Sequence, residues 1–284
     1  MTGEEIEEQR ERLLDGWDEA AKGWGRQADR LQDSARPISE WMIGNAKPAP
    51  GDQVLELAAG PGDTGFMAAR MIEPGGTLIS SDAVAGMLDI ARERAEEQGI
   101  ANADFKQLQL EWIDMPTASV EVVLCRWAIM LAVDPGAALR ECRRVLKPAG
   151  RLALAVWDAP EANPWAVIVQ RVLVELGHVE PMPAVGPGMF ALADRGKLTE
   201  LLEDAGFFDI ETESVPIVRR YANVIDWLGE TRDLSRQFSG VWATLSDEQR
   251  QELRDAVASA AAAYTDEQGA ISLPGSSLAA IASA

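Results

Sequence analysis

Residues 60–65 read GPGDTG, a G-x-G-x-x-G pattern that directly follows the apolar run VLELAA. A glycine turn after a strand lets backbone approach a ligand closely, with the amides of the next helix N-terminus nearby. A dinucleotide pyrophosphate uses that positive end. Here a carboxylate, Glu56, stands four residues ahead of the first glycine, and no Lys or Arg occurs between Gly51 and Ala69. A fixed acid in a crevice repels a diphosphate and attracts an ammonium or sulfonium. The loop therefore suits a positively charged nucleoside better than a dinucleotide.

Those residues need a frame to hold them. From residue 53 short apolar runs alternate with amphipathic stretches. QVLELA (53–58), GTLISSD (76–82), ADFKQLQL (103–110), SVEVVLCRW (119–127) and RLALAVWD (151–158) read as strands. Between them GFMAARMI (65–72), AGMLDIARERAEEQG (85–99) and PGAALRECRRVLKPAG (135–150) read as helices. Repeated strand–helix alternation means right-handed crossovers and a doubly wound, mostly parallel α/β sheet. FFDIETESV (207–215) and the tail ISLPGSSLAAIASA add two strands, for a seven-stranded sheet.

Outside that core, Ile6, Leu13, Leu14, Trp17, Ala20, Ala21 and Trp24 keep one helical face, so residues 1–50 form an N-terminal helical cap. Residues 51–284 form the main domain, with helical lid insertions near 159–195 and 217–265. The first insertion includes a Pro/Gly-rich stretch at 179–190, and a helix at 194–207 capped by Asp194 follows it. Two helical patterns fill 222–264.

Bulk properties narrow the partners. With 26 Lys+Arg against 46 Asp+Glu the net charge is −20, which repels nucleic-acid phosphates and anionic headgroups. Cys125 and Cys142 lie in apolar or helical contexts without a C-x-x-C pair and read as buried, reduced thiols of a cytoplasmic protein. A single histidine, His178, rules out a zinc site of the usual His/Cys kind, and no metal cluster is expected. The first residues lack an apolar leader, and no run is long enough to span a membrane. The expected ligand is a small molecule. The apolar N-terminal helix either closes over the site or pairs with a second copy in a homodimer.

VLELAAGPGDTG, ISSDAVAGMLDIARERA, VLCRWAIML and RECRRVLKPAGRLALAVWD, in this order, resemble the class I S-adenosylmethionine-dependent methyltransferases with their Rossmann-like fold. Among these the chain is most similar to the ubiquinone/menaquinone-biosynthesis type, over about residues 50–160. The resemblance implies S-adenosyl-L-methionine as cofactor and assigns its contacts. Glu56 organises the loop and faces the methionine ammonium, and the loop from Ala58 through Gly60 to Gly62 passes under the methionine. Asp82 accepts from both ribose hydroxyls, since a carboxylate offers a vicinal diol two acceptor oxygens. Ala83 and Met87 border the adenine, and Gln109 and Leu110 meet its edge. The sequence departs from the family at Ala58, where glycine is common and alanine is tolerated if φ stays negative. At Gln109 relatives commonly carry aspartate, and KPAG replaces a Pro-Gly-Gly turn.

Methyl transfer is an in-line displacement, so the chain must align two centres and exclude water. A base is needed only when the acceptor loses a proton, and His178, Asp158, Glu161 and Tyr221 are the candidates. Arg126, at the mouth of the fourth strand, orients the cofactor carboxylate or an anionic acceptor, or else forms a structural ion pair. Trp127 and Trp157, at strand ends, line the pocket with Tyr221 nearby, so the acceptor is small and apolar or aromatic. Three other readings compete. One is a cyclase or isomerase that uses the bound sulfonium as a fixed charge. The others are a nicotinamide oxidoreductase and a non-catalytic binder.

Overall fold

A computed structural model describes residues 3–181 and 187–284, with side chains described from residue 14 onward. Seven strands, β1 (Gln53–Leu57), β2 (Thr77–Asp82), β3 (Ala103–Gln107), β4 (Val120–Arg126), β5 (Leu146–Trp157), β6 (Phe208–Tyr221) and β7 (Ile271–Ser283), form one sheet. Their order is β3-β2-β1-β4-β5-β7-β6. The first five pair in parallel, and β7 runs antiparallel to both β5 and β6. The order reverses between β1 and β4, whose carboxyl ends open the crevice where doubly wound sheets bind ligands. Val54, Leu55, Val123, Leu124, Leu152 and Leu154 are almost wholly buried, as strands covered on both faces require.

Helices α3 (Asp63–Met71), α4 (Ala85–Glu97) and α5 (Pro135–Val145) make the crossovers between the parallel strands. Asp134 caps α5 by accepting from Ala137 N–H at 2.8 Å, with Pro135 at the first helical position. This helix ends at Val145, five residues short of the sequence expectation. From Leu146 the chain is already extended, because Leu146 pairs with Val120 in β4 before a bulge.

Two further boundaries shift for local reasons. β6 runs on to Tyr221 through Pro216, which an edge strand accepts because its missing N–H faces no neighbour. The region after it holds three helices, α8 (Val224–Leu234), α9 (Arg236–Thr244) and α10 (Asp247–Ala260), where two were expected. Ser235 makes the extra break by leaving helical dihedrals and accepting from Phe238 N–H through its hydroxyl.

The first two helices diverge. α2 (Ala28–Ala46) lies on β5, β6, β7 and α3 as part of the layer covering the sheet, while α1 (Gly3–Arg26) contacts α4, α8 and α9. The first insertion supplies α6 (Pro164–Glu175), and α7 (Arg195–Asp204) follows it, packed on α5 and β6 and capped as expected by Asp194 onto Lys197 N–H. Residues 182–186 of the Pro/Gly-rich stretch lie outside the described residues. α6, α8 and α10 close with the ends of β6 and β7 around a second apolar core containing Val172, Trp227, Leu253 and Leu273.

Both cysteines are buried and free, and burial pushes the Cys125 thiol up to about 12. Among the described residues no helix is long and apolar enough to cross a membrane.

Candidate functional site

The crevice at the carboxyl ends of β1, β2 and β4 holds a cavity of about 180 Å³. Its floor is the turn after β1. Gly60 and Gly62 have φ of +52° and +92°, a region that favours glycine. Ala58 has φ +48° as well, which corrects the expectation that alanine there keeps a negative φ. The turn bends two residues before the first of these glycines, and Ala58 carries strain of the order of 1 kcal/mol. A Cβ on Gly62 would stand 2.4 Å from the Phe66 ring, so this glycine packs the loop onto α3 and does not line the cavity.

Glu56 is buried beneath the loop. Its Oε1 accepts from Gly65 N–H at 2.8 Å, which ties the end of β1 to the start of α3, as a loop-organising acid should. Gly65 is needed there, since an added Cβ would lie 2.2 Å from Glu56 Oε2. That second oxygen is enclosed and has no hydrogen-bond partner. Burial pushes the carboxyl up to about 8, against the opposing pull of the Gly65 bond and the Arg126 charge.

Asp82, at the end of β2, accepts from Gly60 N–H and from Val84 N–H, both at 3.0 Å. Burial also raises its pKa against those bonds. It joins the loop to the start of α4 and still lines the cavity, so the helix-capping role and a ligand role are compatible. Ala83, Met87, Gln109 and Leu110 line the same side. β3 ends at Gln107, although the sequence was read as strand to Leu110. Leu108 N–H reaches Asp82 C=O, where β2 itself stops, and Gln109 then pairs across a tight turn with Trp112.

Arg126, from the end of β4, also lines the cavity. Its Nη2 meets Asp63 at 3.3 Å and its guanidinium lies 4.6 Å from the Trp127 ring centroid, while Nη1 is enclosed without a partner. Asp63 was missed in the sequence. It is 2% exposed and takes Arg94 at 3.1 Å as well, so one acid from the glycine loop ties β4, α3 and α4 together. Its place as the one acid inside GPGDTG was the available signal.

Trp127 lines the cavity with φ +59°, an uncommon conformation for a bulky residue. It is held by Nε1–H donation to Ser277 Oγ at 2.8 Å and by stacking on Trp157 at 4.1 Å. Trp157 is therefore the support behind Trp127, outside the lining. Leu14, Trp17 and Trp24 of α1 make the opposite wall. Their spacing marked a helix face, but nothing in the sequence indicated what that face covers.

The base candidates fall elsewhere. Tyr221 Oη donates to Glu230 at 2.6 Å inside the second core. His178 follows α6 on the turn at Gly177, and neither residue is in the described cavity lining. For Asp158, burial raises the carboxyl, but hydrogen bonds from Ser214, Ala159 and Ser276 outweigh it and hold the pKa below the ordinary value.

The comparisons with known proteins agree with this frame. A family profile described as a methyltransferase domain matches residues 48–206, more than half of the chain. The ubiquinone/menaquinone biosynthesis C-methyltransferase UbiE of Cellvibrio japonicus is 29% identical over 171 residues, covering 57% of this chain and 69% of that protein. Its Xanthomonas campestris counterpart is 33% identical over 149 residues, covering 51% of this chain and 59% of that one. Among solved structures, a SAM-dependent methyltransferase from Aquifex aeolicus superposes with a TM-score of 0.51 at 20% identity, over 68% of this chain and 92% of that one. The [4+2]-cyclase SpnF gives 0.52 at 18% identity, over 86% and 79%. At such identities the structural likeness speaks for the fold alone.

Proposed function

The chain belongs to the methyltransferase-domain family and is an S-adenosylmethionine-dependent methyltransferase, and we propose that its acceptor is a small aromatic molecule of the quinol class, methylated at carbon. The C-methyltransferase role in ubiquinone/menaquinone biosynthesis for which the UbiE relatives are named supports the acceptor class and the acceptor atom. The observation that carries the reading is Trp127, strained, clamped by Ser277 and Trp157, and presented to the cavity beside Arg126.

The residues present suit the cofactor. Three enclosed polar atoms of lining residues lack partners, Glu56 Oε2, Arg126 Nη1 and Trp24 Nε1, and buried polar groups in folded proteins are normally paired. We assign Glu56 to the methionine ammonium and Arg126 to the methionine carboxylate. Asp82 takes the ribose hydroxyls. The loop residues Ala58 and Gly60, underpinned by Gly62, support the methionine chain. Ala83, Met87, Gln109 and Leu110 enclose the adenine. When bound, the cofactor supplies an electrophilic methyl group on sulfur.

The protein contributes alignment and dryness. Trp127, fixed against Trp157, holds a flat acceptor and excludes water from the transfer path. Burial favours the protonated form of Glu56, and an ammonium placed beside it would favour the carboxylate, so the charge would be established together with binding. Among the described residues the titratable groups lining the cavity are Glu56, Asp82, Glu111 and Arg126, and we assign no base role to His178.

Two measurements test this. Isothermal titration should show S-adenosylmethionine binding and no NAD binding; the reverse would sink the cofactor assignment. With a short-chain hydroquinone, S-adenosylhomocysteine should be released and the ring should gain one C-methyl group. Binding of both molecules without release would favour the cyclase-type reading.

A further inference from the structure

Helix α1 is held over the cavity by close contacts on two sides. A Cβ on Gly23 would stand 1.9 Å from the Asp233 carbonyl oxygen of α8, and one on Gly25 would stand 3.1 Å from Ile90 of α4. At the start of α4, Gly86 leaves only 3.3 Å between a built Cβ and that of Ala21. Backbone can approach this closely only where side chains are missing. The carboxylate of Asp233 also takes Arg26 Nη2 at 2.5 Å and Gln27 Nε2 at 2.7 Å, which latches the end of α1 to α8.

This seating places Trp24. Its ring meets Trp17 edge-on at 5.7 Å, and both pack on the small apolar cluster of Ala21, Val84 and Met87. Trp24 thus lines the cavity at its α4 end, beside the segment that follows Asp82, away from the Trp127 wall that β4 supplies. Its Nε1 is enclosed without a hydrogen-bond partner, although a buried indole N–H ordinarily finds one.

We propose that Trp24 is a cofactor-binding residue whose indole N–H donates to an acceptor atom of the adenosine moiety, and that α1 is the strap carrying it there. The proposal rests on the reading of the cavity as the S-adenosylmethionine site. It adds a donor from outside residues 48–206, the span that carries the family match. The sheet-borne loop and acids hold the cofactor from one side, and α1 completes the enclosure from the other.

The test titrates three proteins, wild type, Trp24→Phe and Gly23→Ala, with two ligands. One ligand is S-adenosylhomocysteine; the other is 5′-methylthioadenosine, which keeps the adenosine and lacks the amino acid. Phenylalanine keeps an aromatic ring against Trp17 and Met87 but is smaller than tryptophan and lacks the donor. Trp24→Phe should weaken both ligands by the same factor, roughly three- to tenfold as for one neutral hydrogen bond, with only a small fall in the ligand-free melting temperature. Gly23→Ala, which drives α1 off α8, should weaken both further while Trp24 is intact. Unchanged affinities in either variant overturn the proposal. So does a loss confined to S-adenosylhomocysteine, which would put the donor on the amino-acid half. Wild-type protein that binds neither ligand would instead remove the cofactor reading itself, and the strap with it.

Discussion

Two buried glutamates show how differently one residue type is used in the two cores. Glu56 is 4% exposed under the glycine loop and Glu230 is 3% exposed in the second core. Each has one carboxylate oxygen without a partner, so an orphaned atom alone does not mark a site. The counter-charge does. Glu230 Oε2 takes Arg219 at 2.8 Å and Tyr221 Oη at 2.6 Å, and the Arg219 guanidinium in turn lies 4.2 Å from the Trp165 ring centroid. Its charge is answered within the protein, and the cluster joins α8 to β6. Glu56 makes only a backbone hydrogen bond, while Arg126, whose charge acts on it, is ion-paired with Asp63. An acid left unmatched beside a cavity is a request for a cation from outside.

That contrast can be broken from either end. The largest effect is expected at Glu230. Glu230→Ala leaves Arg219 buried and unpaired and should cost about 3–5 kcal/mol of unfolding free energy in urea. Because the cluster lies off the cavity, the folded protein should keep its affinity for S-adenosylhomocysteine; a tenfold loss of affinity would show that the two cores are coupled.

Glu56→Gln should act with the opposite sign on stability. The ligand-free folded protein holds its Glu56 proton up to about pH 8, whereas the unfolded chain releases it near the ordinary carboxyl value of 4.5. The native state therefore binds the extra proton, and stability falls as pH rises from 4.5 through 8. Glutamine removes that loss, so the variant should be more stable than wild type at pH 8 by roughly 2–4 kcal/mol and equal to it near pH 4. It should bind S-adenosylmethionine at least about tenfold more weakly. Parallel denaturation curves for the two proteins across this range would contradict the assignment of Glu56 as an unmatched acid.

The smallest change sharpens the loop itself. Ala58→Gly relieves a left-handed φ and should stabilise the protein by roughly 0.5–1 kcal/mol, a gain reduced by the greater freedom of glycine when unfolded. Thermal melting checks it. A destabilised variant would mean that the alanine methyl packs usefully in spite of its backbone.

Much of the frame was legible because it is periodic. The apolar runs at 53–58, 76–82, 119–127 and 151–158 had to be strands, since each is too short for a helix and is bounded by turn residues. The tail strand and the Asp194 cap could be read for the same local reasons. Boundaries that depend on a neighbour could not. Leu146 is extended because Val120 lies across from it, β3 stops where β2 stops, and Pro216 is allowed because β6 has no strand beyond it.

The site divides in the same way. Glu56, Asp82 and the turn between β1 and α3 sit within a few residues of strand ends, and local sequence determines both their type and their place. Only the tertiary structure decided that Asp63 gathers Arg94 and Arg126, and that Trp157 stands behind Trp127 while Tyr221 is committed to Glu230. Only it laid Trp24 across the α4 end of the cavity. Helical periodicity can say which face of α1 is apolar, but which surface that face meets depends on contacts between residues far apart in the chain, and no local pattern encodes those.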